Sequence, residues 1–223
     1  YNSTINGNGA GFVGSTTTGK AYGGVYLREG SGELVNCTIY GNTSSNIGGG
    51  VGVYGTAAAP ANLQIISSTI TGNMVKSSSA LGGGLYMNAA DVTVNIYNSI
   101  IAGNSRGVNG TGTASDVEGV AAAGWTKKSA VISSQVFDAN GVVIVGANFD
   151  FATMLGPLAN NGGNIQTVKL LGTVNPAIAN GMTASELTTL GISLATPVPA
   201  AIIAFDQIGI SRSGKAQMGA LLQ

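Results

Sequence analysis

Charged residues are scarce in this 223-residue chain, and their signs balance. Lysine and arginine together number nine, aspartate and glutamate also number nine, and only 8% of all residues are charged, against about 25% in an ordinary globular protein. The only adjacent basic pair is Lys127–Lys128. Because nucleic acids and anionic membranes are recognised through clustered positive charge, we expect neither of them to be the main partner.

Histidine is absent, and Cys37 is the only cysteine. The lack of histidine excludes Ser-His-Asp and Cys-His catalysis within this chain, and it removes the usual zinc ligand sets. A single cysteine excludes an internal disulfide. We expect Cys37 to pack as a small apolar residue within a strand.

Long hydrophobic runs are also missing. No stretch approaches the roughly 18 uninterrupted apolar residues of a membrane-spanning helix, so we expect no transmembrane segment. The chain opens at Tyr1 directly in repeat-like sequence, with no signal-peptide pattern. This opening indicates a fragment, or a processed product, of a longer protein.

Glycine and β-branched residues are abundant instead. Glycine accounts for 36 of 223 residues, about twice its usual share of roughly 7%, and valine, isoleucine and threonine are frequent. A disordered chain is expected to have few β-branched residues and a high net charge, and this chain has neither property. The composition therefore indicates a folded domain.

A block of seven residues recurs four times and ends each time in Gly-Asn. The closing asparagines are separated by 34, 31 and 31 residues, and the four blocks are residues 2–8, 36–42, 67–73 and 98–104. Two further blocks keep phase with the first: a glycine-rich one at 23–26, 48–51 and 82–86, and a short alternating run at 33–35, 63–66 and 92–97. Each period thus holds about three short β-prone runs with no helical periodicity between them.

This pattern predicts an all-β fold, a single-stranded right-handed parallel β-helix. About four regular coils would run through Asn104, followed by one degenerate coil up to residue 150 with strands near 130–137 and 141–149. Residues 151–223 contain most of the prolines and one short helix, capped by Thr183 or Ser185 and ending near Leu190. They are expected to form an irregular C-terminal cap over the open end of the helix. Enlarged turns are predicted at 9–21, 43–47, 55–61 and 74–81.

The repeated residues have a structural interpretation. Stacking would place Ile5, Ile39, Ile70 and Ile101 above one another at the strand spacing of about 4.8 Å, as an interior ladder. The Gly-Asn pairs suit turns with positive φ. Their asparagines could share side-chain hydrogen bonds along the axis, and we favour this structural ladder over ligand binding for Asn8, Asn42, Asn73 and Asn104.

Five residues are candidates for binding. Tyr26 and Tyr86 are either glycan-stacking platforms or edge packing at regular repeat positions, and Trp125 is either a binding residue or loop packing. Asp116 and Glu118 are the closest acidic pair, in a glycine-rich loop over residues 105–124. If that segment is extended, both face one side and could hold a cation such as calcium. A solvated loop is the favoured alternative.

The C-terminal region resembles the bacterial choice-of-anchor Q proteins. Residues 155–163 with Ile165-Gln166-Thr167 are similar to their "GPLADNGGPTQTHAL" segment, and residues 173–181 to their "GSPAIDAG". Asp206-Gln207-Ile208-Gly209, with Arg212 and Met218-Gly219-Ala220, resembles "DQRG..R…DIGAYE". Upstream, residues 98–104 followed by Ser115-Asp116-Val117 are similar to "NSIIAGN…PDV". The chain departs from the family pattern at Ala179, Ile208 and Leu221-Leu222.

The resemblance implies a pectin-lyase-like β-helix within a large secreted or outer-surface bacterial protein that carries a variable anchor. The molecular activity of such proteins is mostly undefined, and their motifs are turns of glycine, proline and asparagine, so no catalytic residue carries over. Glycoside hydrolysis requires two carboxylates about 5–9 Å apart, and no acids recur at one repeat position here.

The leading hypothesis is therefore a non-catalytic protein of the bacterial exterior or outer cell surface. It would bind a glycan, a host protein or another subunit of an outer-membrane assembly, with no cofactor. The alternative is a carbohydrate-active enzyme, or a module of one, whose catalytic residues lie in coils outside this sequence. A purely structural stalk is a third reading.

Overall fold

The computed structural model describes residues 1–10, 22–77, 81–88, 91–107, 112–119, 124–133, 151–193, 197–214 and 217–222. Its strands stack in parallel, coil upon coil, so the predicted parallel β-helix is confirmed. Three complete coils start at β3, β7 and β11, and a partial coil lies at each end. The prediction of about four regular coils thus counted the first partial coil as a whole one.

Each complete coil has four faces, one more than the three strands predicted. The first face consists of β3 (Val25–Arg28), β7 (Val51–Tyr54), β11 (Leu85–Met87) and β15 (Val117–Gly119). The second consists of β4 (Gly30–Val35), β8 (Ala61–Ile66), the start of β12 (Val92–Ile101) and β16 (Gly124–Ser133). The third consists of β1 (Thr4–Asn6), β5 (Thr38–Tyr40), β9 (Thr69–Thr71) and the ends of β12 and β16. Two-residue strands make the fourth: β2 (Gly9–Ala10), β6 (Thr43–Ser44), β10 (Met74–Val75) and β13 (Ser105–Arg106), with β14 (Thr113–Ala114) added antiparallel.

A left-handed residue turns the chain from the second face to the third. Asn36, Ser67 and Asn98 occupy this corner with φ of 52°, 47° and 48°. Asparagine tolerates this conformation better than most residues because its short polar side chain makes local hydrogen bonds. The repeat pattern predicted positive φ at the Gly-Asn turns, where glycine indeed adopts it, and did not predict it at this second corner.

The interior isoleucine ladder lies where the spacing predicts it. The Cα partners run from Ile5 to Ile39, from Ile39 to Ile70 and from Ile70 to Ile101. The last three side chains are fully buried in one core cluster with residues of the first and second faces. Burying one such side chain stabilises the fold by about 1.5–3 kcal/mol, so this column is a main source of coil stability.

The described residues between Asn104 and the C-terminal region, which are 105–107, 112–119 and 124–133, include strands where the sequence predicts a polar loop. They contain β13, β14 and β15, and Trp125 lies in strand β16 with its Cα paired to that of Val94. The predicted strand at 130–137 overlaps the end of β16, and its remainder lies outside the described residues. The strand predicted at 141–149 lies wholly outside them.

The C-terminal region mixes short helices with one hairpin. Its elements are α1 (Phe151–Met154), β17 (Leu155–Ala159), β18 (Thr167–Leu170), α2 (Pro176–Ala179), α3 (Ala184–Ser193) and α4 (Ala200–Ile203). Thr183 caps α3: its backbone N donates to Glu186 Oε2 at 2.8 Å, and Glu186 N donates back to Thr183 Oγ1 at 3.3 Å. These bonds to Thr183 lower the pKa of Glu186, as in a capping box. The helix continues three residues beyond the predicted end.

This C-terminal tail lies along the side of the coils. One apolar cluster joins Ile100 and Ala102 of the third face to β17, β18 and α2. Another joins Val35, Ile66 and Tyr97, next to the left-handed corner, to α3 and α4. The tail was predicted to cover the open end, whereas its described contacts follow a lateral face. The reason is that these outward-facing positions are apolar and must be covered.

Candidate functional site

The four repeated asparagines form a hydrogen-bonded ladder along the axis. The Oδ1 atoms of Asn42, Asn73 and Asn104 each accept from the backbone N and the Nδ2 of the asparagine one coil earlier; Asn42 N and Nδ2, for example, both donate to Asn73 Oδ1 at 2.9 Å. The same pair of bonds links Asn8 to Asn42 and Asn73 to Asn104. All but Asn8 are buried, so these amides belong to the scaffold and do not offer a ligand site.

Asp116 ends the ladder. Its Oδ1 accepts from Asn104 N at 2.8 Å and from Asn104 Nδ2 at 2.9 Å, and the residue is fully buried. The favoured alternative of a solvated loop is therefore wrong for Asp116. Asp116 takes the position in the ladder that an asparagine of the next coil would have, but it comes only twelve residues after Asn104. The spacing is short because the chain enters β15 of the first face directly after Asp116. The repeat period of 31 residues could not indicate this substitution.

Glu118 has different partners. Its Oε2 accepts from Gly82 N at 2.9 Å and lies 3.4 Å from Arg106 Nη1. The two carboxyl groups therefore do not form the predicted common cation site: Asp116 belongs to the buried ladder, and Glu118 belongs to an ion pair. Across the part of the chain that the structure describes, no group of three or more histidine, cysteine, aspartate or glutamate side chains could hold a metal ion.

A second, hydroxyl ladder accounts for Cys37. Its backbone N donates to Ser68 Oγ at 3.1 Å, and Ser68 N donates to Ser99 Oγ at 3.1 Å. Cys37 takes the corresponding position one coil earlier, and its thiol donates to Val35 O at 3.3 Å. Because the thiol is buried and engaged, it has a packing role, as the sequence predicts.

The outward side of the first face carries an aromatic surface. Val25 and Leu27 pack against the core, so Tyr26 between them points outward, and Tyr86 lies likewise between Leu85 and Met87. In register, one outward column runs from Tyr26 through Gly52 and Tyr86 to Glu118. The column brings together three of the five predicted binding residues. Trp125 is on the second face instead.

Tyr22 fills the gap in this column. A Cβ atom added to Gly52 would lie 1.9 Å from Tyr22 Cδ1, so the ring of Tyr22 covers the place of the missing side chain. The rings of Tyr22 and Tyr26 are stacked, with centroids 3.9 Å apart and planes 13° from parallel. Tyr26 remains 44% exposed, whereas Tyr86 is 8% exposed.

Tyr54 belongs to the same surface, because it follows Gly52 by two residues in β7 and therefore lies on the same side of that strand. Burial raises the pKa of Tyr22, and Tyr26, Tyr86 and Tyr54 raise it further. Burial also raises the pKa of Tyr86, with Tyr54 adding to the effect. The phenols of Tyr22 and Tyr86 therefore keep their protons at neutral pH, and the Tyr22 hydroxyl is buried with no hydrogen-bond partner among the described residues. We call Tyr22, Tyr26, Tyr54 and Tyr86 the tyrosine surface.

Ion pairs flank the tyrosine surface at both ends. Arg28, in register with Tyr54, has its Nε 3.4 Å from Glu29 Oε1. Glu118, in register with Tyr86, pairs with Arg106. Each arginine is thus accompanied by its own carboxylate, and the charges cancel at both ends.

Of the tyrosine surface, the sequence-based candidates included Tyr26 and Tyr86 but not Tyr22 and Tyr54. A signal for Tyr22 was present: the repeat has tyrosine at positions 26 and 86 but glycine at position 52. A missing side chain in an outward column leaves room for an aromatic ring from another segment. Only the three-dimensional arrangement shows which ring fills it.

Fold and site together define the class of this protein: a parallel β-helix with a lateral C-terminal tail and an outward aromatic surface. No family model, curated protein or solved structure matches the chain. Within the described ranges, no helix has the length and apolar character needed to cross a membrane.

Proposed function

We propose that this chain is a non-catalytic β-helix module of a bacterial extracellular or outer-surface protein, and that it binds a glycan on the tyrosine surface. The observation that carries the proposal is the stacked pair of Tyr22 and Tyr26, with Tyr26 44% exposed in a column with Tyr86. Aromatic rings combine a large apolar face with a polar edge. Such a platform suits a sugar ring, whose C–H groups pack on the aromatic face and whose hydroxyls bond to nearby polar groups.

The carboxylates near this surface support binding without hydrolysis. Glu29 follows β3 and Glu118 lies in β15, three strand spacings apart, or about 14 Å at about 4.8 Å per strand. Glycosidases hold their two carboxyl groups within about 9.5 Å of each other. Asp116 is committed to the asparagine ladder and Glu186 to the cap of α3.

The cellular location is part of the proposal. The resemblance to choice-of-anchor Q proteins supports a secreted or surface-anchored bacterial protein, and the scarcity of charge and of cysteine agrees with a rigid display scaffold. The partner would then be a glycan outside the cell. A host protein or a subunit of an outer-membrane assembly is the competing partner.

A glycan array with the purified chain tests this function, using Tyr26→Ala as the binding-site variant and Tyr1→Ala as the control. Tyr1 is exposed to a similar degree, 46%, but its hydroxyl bonds to Glu33 on the second face. We expect the wild type and Tyr1→Ala to bind the same glycans. Loss of the exposed ring in Tyr26→Ala should weaken binding about tenfold or more.

Two results would contradict the proposal. Retention of no glycan at all would favour a purely structural stalk or a protein partner. Release of reducing ends or unsaturated products from a bound glycan would identify a carbohydrate-active enzyme instead.

A further inference from the structure

The charges around the tyrosine surface bear on which glycans it accepts. This step rests on the proposed function. We infer that the ligand is a neutral glycan, a chain of uncharged pyranose rings, and not a polyuronide or a sialylated glycan. Besides its aromatic rings, the surface offers two ion pairs, and these decide how well a charged sugar can bind.

An acidic glycan requires a cation that is available to its carboxylate. At one end of the surface, Arg106 is paired with Glu118, and their side chains are only 29% and 12% exposed. A glycan carboxylate that formed an ion pair with Arg106 would leave the largely buried Glu118 without its partner. It would also place two negative charges close together. Both effects oppose binding.

The other end of the surface is more exposed to solvent, and its charges cancel as well. The side chains of Arg28 and Glu29 are 65% and 42% exposed, so water and salt screen the pair strongly. Arg28 can move toward a ligand, but Glu29 beside it repels any carboxylate that approaches. The two ion pairs that flank the tyrosine surface, Arg28–Glu29 and Arg106–Glu118, contribute two positive and two negative charges, which sum to zero.

The aromatic part of the surface matches an uncharged ring well. Tyr22 supports Tyr26 from one side, so the exposed area of Tyr26 is presented on a ring that is already held in place. A preorganised ring loses less conformational entropy on binding. The Tyr22 hydroxyl is buried, so Tyr26 offers the exposed aromatic face, and a tyrosine hydroxyl can exchange hydrogen bonds with the hydroxyls of an uncharged sugar.

Gly52 is a positioning residue for this platform. It does not need to touch the ligand, but only glycine leaves the space that the Tyr22 ring occupies. Gly52→Ala should displace Tyr22 and loosen Tyr26. The expected result is a drop in affinity of about threefold to tenfold, with little change in the far-UV spectrum of the coils.

The test compares every glycan that the array retains with matched soluble oligosaccharides by calorimetry. The probes are neutral hexasaccharides of glucose, xylose and mannose, together with hexagalacturonate and sialyllactose, at 20 mM and 300 mM NaCl. We expect a neutral probe to bind with less than about a twofold change between the two salt concentrations, because no net charge is neutralised. Arg28→Gln should leave that affinity within about twofold, while Tyr26→Ala and Gly52→Ala lower it and Tyr1→Ala does not.

The outcomes separate this inference from the proposed function. Preferred binding of an acidic probe that weakens with salt and with Arg28→Gln, but still depends on Tyr26, would overturn the neutral class and leave glycan binding intact. Glycan binding unaffected by Tyr26→Ala would remove the site itself. If no probe and no array glycan binds, both proposals fail.

Discussion

At the scale of single residues, the asparagine ladder shows how one side chain satisfies several buried groups. Asn73 Oδ1 accepts from Asn42 N and Nδ2, and Asn73 Nδ2 donates to Ile39 O, to Thr71 O and to Asn104 Oδ1. A carboxamide supplies both an acceptor and two donors at one position. A side chain that both accepts and donates therefore continues the ladder from coil to coil, and the ladder ends at the carboxyl group of Asp116.

We predict that Asn73→Ala destabilises the protein by about 3–4 kcal/mol, because several buried groups lose their partner at about 1–3 kcal/mol each without being fully additive. The measurement is the midpoint and slope of urea unfolding. Asn8→Ala is the matched control. Asn8 is at the exposed end of the ladder, so the expected loss is below about 1 kcal/mol. Equal losses for the two variants would show that the ladder does not stabilise the coils.

At the scale of elements, the left-handed corner connects the coils to the tail. Asn36 Nδ2 donates to Ile202 O at 2.8 Å and to Phe205 O at 2.9 Å, and its Oδ1 accepts from Arg212 Nη2 at 3.2 Å. One residue thus sets the bend between β4 and β5 and also binds the end of α4. Asn98 repeats the arrangement, with Nδ2 donating to Gln217 O and Oδ1 accepting from Met182 N.

We predict that Asn36→Ala lowers the free energy of unfolding by about 3 kcal/mol or more. The variant has alanine at φ of 52°, which is unfavourable by about 1–2 kcal/mol, and it leaves buried groups of the tail unpaired. Asn2→Ala is the control, because Asn2 has φ of 49° at the same corner of the partial coil and is exposed. Urea unfolding of both variants separates backbone strain from tail binding. A loss in Asn36→Ala no larger than in Asn2→Ala would mean that the tail contacts contribute little.

At the scale of the whole molecule, Arg212 holds the tail segments together against the coils. Its guanidinium donates to Phe205 O, Gln217 O and Gly219 O as well as to Asn36 Oδ1. Burial lowers the pKa of Arg212 to about 10, although Asp206 nearby acts in the opposite direction. Such a buried cation is tolerated because each of its three nitrogens donates to at least one acceptor.

We predict that Arg212→Lys loosens the tail and exposes the coil beneath it. Lysine is shorter and cannot reach the four acceptors in one geometry. Cys37 is the natural probe, since it is buried beside the corner residue Asn36. We expect its rate of reaction with a thiol reagent to rise about tenfold or more, as the population of locally open molecules increases. Lys169→Ala, an exposed change in β18, should leave the rate unchanged. A rate in Arg212→Lys equal to that of the wild type would contradict the coupling of tail and coils.

The repeat spacing determined the coils, the inward isoleucines, the stacked asparagines and the packing role of Cys37. These features depend on residues about one period apart, and a constant period places them one strand spacing from each other. Local sequence also indicated the cap of α3 at Thr183.

Tertiary structure alone decided the features that join distant segments. Asn36 and Arg212 are 176 residues apart, and no periodicity relates them, so the lateral position of the tail was not predictable. Three further features were not predictable from the repeat period either: the burial of Asp116, the two-residue fourth strand and the ring of Tyr22 over Gly52. Each depends on how much room neighbouring coils leave, because close packing in three dimensions decides which side chain fills a given space.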